Sequence, residues 1–190
     1  MTQNKEIRTS IPAEVRAEGD AVTVSGYAAV FGEESNIGGH FIEVIERGAF
    51  KDAIGRDDVV FLIEHEGLPL ARTRAGTLEL KEDDHGLLMR ADLDASDPDV
   101  ARIVPKMKRG DLDKMSFAFW TDKQEWDDTG EMPKRTIKAA SLFDVSIVTT
   151  PAYDGTEIGL RSLKGHRDQS KFKRSQTLRA KLRKAEITKR

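Results

Sequence analysis

Apolar and polar positions alternate with period two over much of this chain, and the alternation predicts strands. Residues 21–31, AVTVSGYAAVF, are β-branched and aromatic with one interruption, which reads as a strand bulged or bent near Gly26. A turn at Gly38-Gly39 leads into residues 40–50, where Phe41, Val44 and Ile45 alternate imperfectly with charge and FKDAIGR suits a short helix or turn. Residues 58–64, DVVFLIE, form a continuous apolar run, the pattern of a strand buried on both faces or lining a barrel. His65 stands at its end, ahead of a turn at Gly67-Leu68-Pro69. The segment from Gly76 to Leu93 reads as a hairpin turning at Asp83-Asp84-His85-Gly86. Val100, Ile103, Val104 and Met107 then recur at helical spacing, between an Asp97 N-cap with Pro98 in the first turn and a closing Gly110.

From Met115 to Trp120 the alternation sorts Ser116, Ala118 and Trp120 onto one face and Met115, Phe117 and Phe119 onto the other. The bulky face belongs in a core, and Ser116 is expected to project from the opposite, non-core face. A Gly/Asp-rich loop at 127–131 separates this strand from residues 135–140 and from a last core stretch, 141–149, halted by Pro151. Six or seven short strands with one clear helix predict a mainly β fold, either a compact antiparallel sheet or a closed β-barrel with flanking helices.

The 190 residues suffice for one domain and a tail. With no cysteine, disulfides, thiolate chemistry and Cys-ligated zinc are excluded. No apolar run approaches the ~18 residues needed to span a bilayer, and the N-terminus has no apolar signal region, so a soluble, unexported protein is expected. The net charge of −2 is unevenly spread: residues 161–190 hold twelve Lys or Arg against Asp168 and Glu186, a net +10, which leaves −12 on residues 1–160. The chain therefore divides into a body, residues 1–160, and a basic C-terminal tail, 161–190, helical or disordered, whose few apolar anchors include Leu178, Leu182 and Ile187.

Ser116 is a weak nucleophile unless a base is placed beside it, and histidine can take and return a proton near neutrality. His65 is the best placed, at the end of a buried strand; His85 lies in a hairpin turn, His166 in the tail and His40 at the start of an uncertain strand. Two carboxylates are candidates to orient it, the adjacent Glu66 and Asp144, which lies between Phe143 and Val145 and needs a histidine or arginine partner if buried. There is no GxSxG, HExxH, P-loop or GxGxxG. The acidic turn Glu82-Asp83-Asp84-His85 and the aspartates at 92, 94, 97 and 99 read as solvated polar groups rather than a metal site.

Four stretches, GYAAVFGEESNIGGHFIEVIERGAF, EHEGLPLARTRAGTLEL, RGDLDKMSFAFW and SLFDVSIVTTPAY, in that order and spacing resemble the HK97-type phage prohead maturation protease family. The resemblance extends from residue 7 to residue 160. It implies a fold like that of the herpesvirus maturation proteases, a small β-barrel flanked by helices, and a serine endopeptidase working inside an assembling capsid in the cytoplasm of a bacterial host. Position by position, the family's histidine falls on His65, its serine on Ser116 and its third member, usually a glutamate, on Asp144. The aspartate is one methylene shorter, and Leu70-Ala71-Arg72 stands where the family commonly has LGR. The resemblance also implies that the substrates are a scaffold protein or the scaffolding segment of the major capsid protein, and the protease itself. No cofactor, metal or membrane is implied; an oligomer is compatible with the family. Two rival readings are a non-catalytic capsid assembly factor that binds an acidic partner through its tail, and a nucleic-acid-binding module, which the acidic body opposes.

Overall fold

Strands form where the period-two pattern is strongest, and also in one region where it gave no warning. The computed structural model describes residues 5–12, 14–18, 21–149 and 155–187. In chain order the elements are β1 (Glu6–Pro12), β2 (Glu14–Glu18), β3 (Ala21–Val30), β4 (Ser35–Ile37), β5 (Phe41–Ile45), α1 (Lys51–Arg56), β6 (Val60–Ile63), β7 (Glu66–Arg72), β8 (Leu78–Glu82), β9 (Gly86–Asp94), α2 (Pro98–Arg109), β10 (Lys114–Asp127), β11 (Lys134–Val148) and α3 (Gly155–Ile187). A 3-10 turn, Thr73–Ala75, joins β7 to β8. The fold is mainly β with flanking helices. Neither β1 nor β2 was anticipated, and the two segments expected at 135–140 and 141–149 are one strand, β11.

One sheet has the order β1-β10-β11-β5-β4, with β6 and β7 branching from β11; the other has the order β2-β3-β9-β8. Their inner faces share one core, in which Val24, Leu87 and Met89 of the smaller sheet join Phe117, Phe119 and Ile147 of the larger. The expected closed barrel is not formed: among the described residues, hydrogen bonding makes two sheets. The reason lies in β11. One edge of it is taken by β10, while on its other edge β5 pairs with Lys134 to Ile137 and β6 with Asp144 to Ile147. With two strands sharing one edge, the sheet forks instead of curling into a ring. Both of those pairings are parallel, which also corrects the expectation of a wholly antiparallel sheet.

Local signals were more faithful. The Asp97 carboxylate accepts a hydrogen bond from the Asp99 N–H at 2.8 Å, capping α2, and Gly110 ends that helix in the left-handed region at φ 78°. The bulge expected near Gly26 lies slightly later, where the β3–β9 register shifts between Tyr27 and Ala29.

Strand β1 is fastened by buried charge. Glu43 points inward from β5 between Phe41 and Ile45, and Arg8 binds it through Nε at 2.5 Å and Nη2 at 2.9 Å. Arg135 of β11 bridges Glu6 at 2.7 Å and Glu43 at 2.8 Å, completing a four-residue cluster that is almost wholly buried. Burial pushes the Glu6 carboxyl up, but Arg135 and Arg8 outweigh it and hold it below the ordinary carboxylate value. Two cations matched to two anions, each with several hydrogen bonds, make such burial tolerable.

Helix α3 lies against the body over its first turns. Leu163 is buried, His166 stacks on Trp126 with ring centroids 5.1 Å apart, and its Nε2 meets Asp128 at 2.8 Å. From Lys171 to Lys181 every side chain is exposed. The 160/161 boundary drawn from charge thus falls inside a continuous helix.

Candidate active site

Ser116 lies in the middle of the larger sheet, opposite Thr9 on β1 and opposite Ser146 on β11. Two residues further along β11's face, Asp144 lies opposite Ala118. Directly opposed and i±2 residues share a face, so Ser116, Ser146 and Asp144 project to the same side.

His65 reaches that face from a turn. Ile63 pairs with Glu66, so Glu64 and His65 are the two central residues of a tight hairpin between β6 and β7, with φ of 52° and 60°. Positive φ at both positions is the signature of a type I′ turn, usually filled by Asn or Gly; a side chain with a Cβ costs about 1–2 kcal/mol at each such position. Tertiary contacts hold the turn: the Glu64 N–H donates to the Ile147 carbonyl at 3.0 Å, and the Glu64 carboxylate accepts from the Thr149 N–H and hydroxyl at 2.8 and 2.7 Å. The turn expected at Gly67-Leu68-Pro69 is instead part of β7.

The three side chains meet. His65 Nε2 is 2.7 Å from Ser116 Oγ, and His65 Nδ1 is in direct hydrogen-bonding contact with Asp144 Oδ1. Asp144 accepts two further bonds, from Ser146 Oγ to Oδ1 at 2.9 Å and from Lys5 Nζ to Oδ2 at 2.7 Å. Burial raises the Asp144 carboxyl, and hydrogen bonds and charge from His65 and Lys5 more than reverse this, so it stays ionised well below its ordinary value. An ionised carboxylate on Nδ1 fixes that nitrogen as the N–H, which leaves Nε2 free to accept the serine proton.

Ser116 lies on the face opposite the core residues Met115, Phe117 and Phe119, and that face is covered as well, since Ser116 has no exposed surface. Its hydroxyl also lies 2.8 Å from the Arg8 carbonyl of β1, a second acceptor for its one proton. Other candidates are elsewhere: His40 and His85 are exposed, His85 packs edge-on against Tyr27, and Glu66 is exposed on β7. Among the described residues, no group of three or more His, Cys, Asp or Glu is arranged to hold a metal ion. Sequence reading missed Lys5, Ser146 and Glu64. Ser146 was detectable as the i+2 neighbour of Asp144, whereas nothing local signals Lys5.

Comparison with known proteins gives a consistent assignment. A family model described as caudovirus prohead serine protease matches residues 10–169. No curated protein matches the chain. Among solved structures, the bacteriophage T4 capsid assembly protease is similar in fold, with a TM-score of 0.51 and 12% identity over 77% of this chain and 98% of that one.

Proposed function

The chain belongs to the caudovirus prohead serine protease family and is a phage capsid-maturation protease, and from that premise we propose that it is a serine endopeptidase with Ser116 as nucleophile, His65 as general base and Asp144 as the residue that orients the base. The observation that carries this reading is the unbroken hydrogen-bond chain from Asp144 through both ring nitrogens of His65 to Ser116 Oγ. As Oγ attacks a peptide carbonyl, Nε2 takes its proton and later returns it to the leaving amine, and the Asp144 charge stabilises the imidazolium between the two steps.

The substrates in this reading are a scaffold protein or the scaffolding segment of the major capsid protein, and the protease itself, within the prohead in the bacterial cytoplasm. Residues 1–160 form the protease body, and the basic segment 161–190 supplies a surface for an acidic partner. Its support is the fully exposed stretch from Lys171 to Lys181, which carries five basic residues and no acidic one. The test is incubation of the full chain with the major capsid and scaffold proteins of the same phage. Cleavage by wild type and none by Ser116→Ala is expected; intact substrate with both, in assembled proheads as well as in solution, would favour the non-catalytic assembly factor.

A further inference from the structure

We infer that Lys5, which immediately precedes the N-terminal strand, is a positioning residue of this site: it fixes the Asp144 carboxylate plane and balances its charge. The inference rests on the proteolytic reading above. The two carboxylate oxygens of Asp144 are divided between partners. Oδ1 faces His65 Nδ1 and the Ser146 hydroxyl, while Oδ2 is taken by Lys5 Nζ at 2.7 Å. With Lys5 absent, Oδ2 loses its one charged partner among the described residues, and rotation about the Cβ–Cγ bond is restrained from the Oδ1 side. The Asp144 side chain is 2% exposed and that of Lys5 43%, so the ammonium reaches inward from the surface.

Its placement is not loose. The ammonium lies 5.9 Å from the centre of the Phe143 ring, which packs edge-on against Trp120 at 4.3 Å. The adjacent Glu6 pairs with Phe119 and is anchored in the buried cluster with Arg8, Arg135 and Glu43, so the backbone at residue 5 is set by that cluster. One N-terminal segment therefore touches both ends of the relay, through Lys5 at Asp144 and through the Arg8 carbonyl at Ser116.

The electrostatic consequence has a definite sign. Among the described residues, the side chains bonded to Asp144 are Lys5, His65 and Ser146, and those bonded to His65 are Asp144, Ser116 and Ser146. Glu64, next to His65 in the turn, has its carboxylate on Thr149, Glu66 is exposed, and the Arg8 guanidinium is bound to Glu6 and Glu43. Lys5 thus opposes a positive charge on His65. Removing it favours the imidazolium over the neutral base.

The experiment follows the His65 ring by nitrogen-15 NMR in the full chain, as wild type, Lys5→Met and Lys5→Arg, with the signal identified by its loss in His65→Gln. In parallel, the rate of covalent modification of Ser116 by diisopropyl fluorophosphate is measured against pH. Lys5→Met is expected to raise the His65 titration midpoint by roughly half a pH unit or more and to slow modification at pH 6 at least about threefold. Lys5→Arg, which keeps the cation, restores both. An unmoved midpoint with normal modification of Ser116 overturns the role of Lys5 alone. A shifted midpoint with neither modification of Ser116 nor substrate cleavage overturns the proteolytic reading, and the catalytic role of Lys5 with it.

Discussion

Ser116 and Ser146 face each other across β10 and β11, and the His65 imidazole is shared between them, Nε2 against Ser116 at 2.7 Å and Nδ1 against Ser146 at 3.2 Å. The two hydroxyls are equally buried but chemically unequal. Ser116 is on the nitrogen that can accept a proton, and Ser146 is on the side already committed to Asp144. Ser116→Ala is therefore expected to abolish cleavage with the fold intact. Ser146→Ala removes one hydrogen bond to the ionised Asp144, about 1.5–3 kcal/mol, and should slow cleavage roughly tenfold to a hundredfold. Cleavage assays on the capsid substrate, alongside melting curves, separate the two; equal losses in both variants would contradict the assignment of Ser116.

Asp144→Asn presents an amide where His65 Nδ1–H needs an acceptor, and can lock the ring in the wrong tautomer. A fall in kcat of about 10³- to 10⁴-fold is expected. His65→Ala should be as damaging as Ser116→Ala, and the double variant no worse than either, because members of a relay act as a unit. Single-turnover rates for the three variants test this; a double variant far slower than both would show that the residues act separately.

Arg135 holds two carboxylates that are almost wholly buried. Arg135→Met leaves Glu6 and Glu43 with Arg8 as their one cation among the described residues, and the resulting surplus of buried negative charge should destabilise the protein by about 3–5 kcal/mol. Denaturant titration of wild type and variant measures the difference, and a loss below about 1 kcal/mol would mean that the cluster relaxes or hydrates freely.

Acid should destabilise the protein in a defined window. Glu6 and Asp144 both have carboxyls lowered by folding, so each contributes stability fully present above its unfolded value and lost as pH falls through its folded one. Urea midpoints should hold steady from neutrality down to pH ~4 as far as these groups are concerned, then decline. Glu6→Gln should flatten that decline.

Truncation can locate where α3 stops supporting the body. A chain ending at Ser170 keeps buried Leu163 and the His166 ring on Trp126, and should melt with the full chain. A chain ending at Leu160 loses both and should melt about 5 °C lower or more. If the shorter chain melts unchanged, the helix beyond Leu160 is dispensable to the fold.

Much of this was legible in local pattern. A β-branched and aromatic run located β3, a continuous apolar run located β6 and period two located β8, β9 and β10; the Asp97 and Gly110 caps bounded α2, and the basic composition marked the C-terminal segment. The sequence also pointed to Ser116 and His65, because a lone serine requires a base, but it left Glu66 and Asp144 open as the carboxylate until the resemblance to the prohead protease family singled out Asp144. What local pattern could not contain was pairing. Whether β11 closes a barrel or carries two parallel strands on one edge depends on contacts between residues about 80 to 90 positions apart, such as Asp144 with Val60 and Lys134 with Ile42. The left-handed turn at Glu64-His65 defies residue preference and exists because Thr149 and Ile147 hold it. Strand β1 has too little apolar alternation to declare itself, since Glu6 and Arg8 are buried by matched charges from β5 and β11. That cluster forms only once the sheet has assembled, and only then do Lys5 and the Arg8 carbonyl reach Asp144 and Ser116.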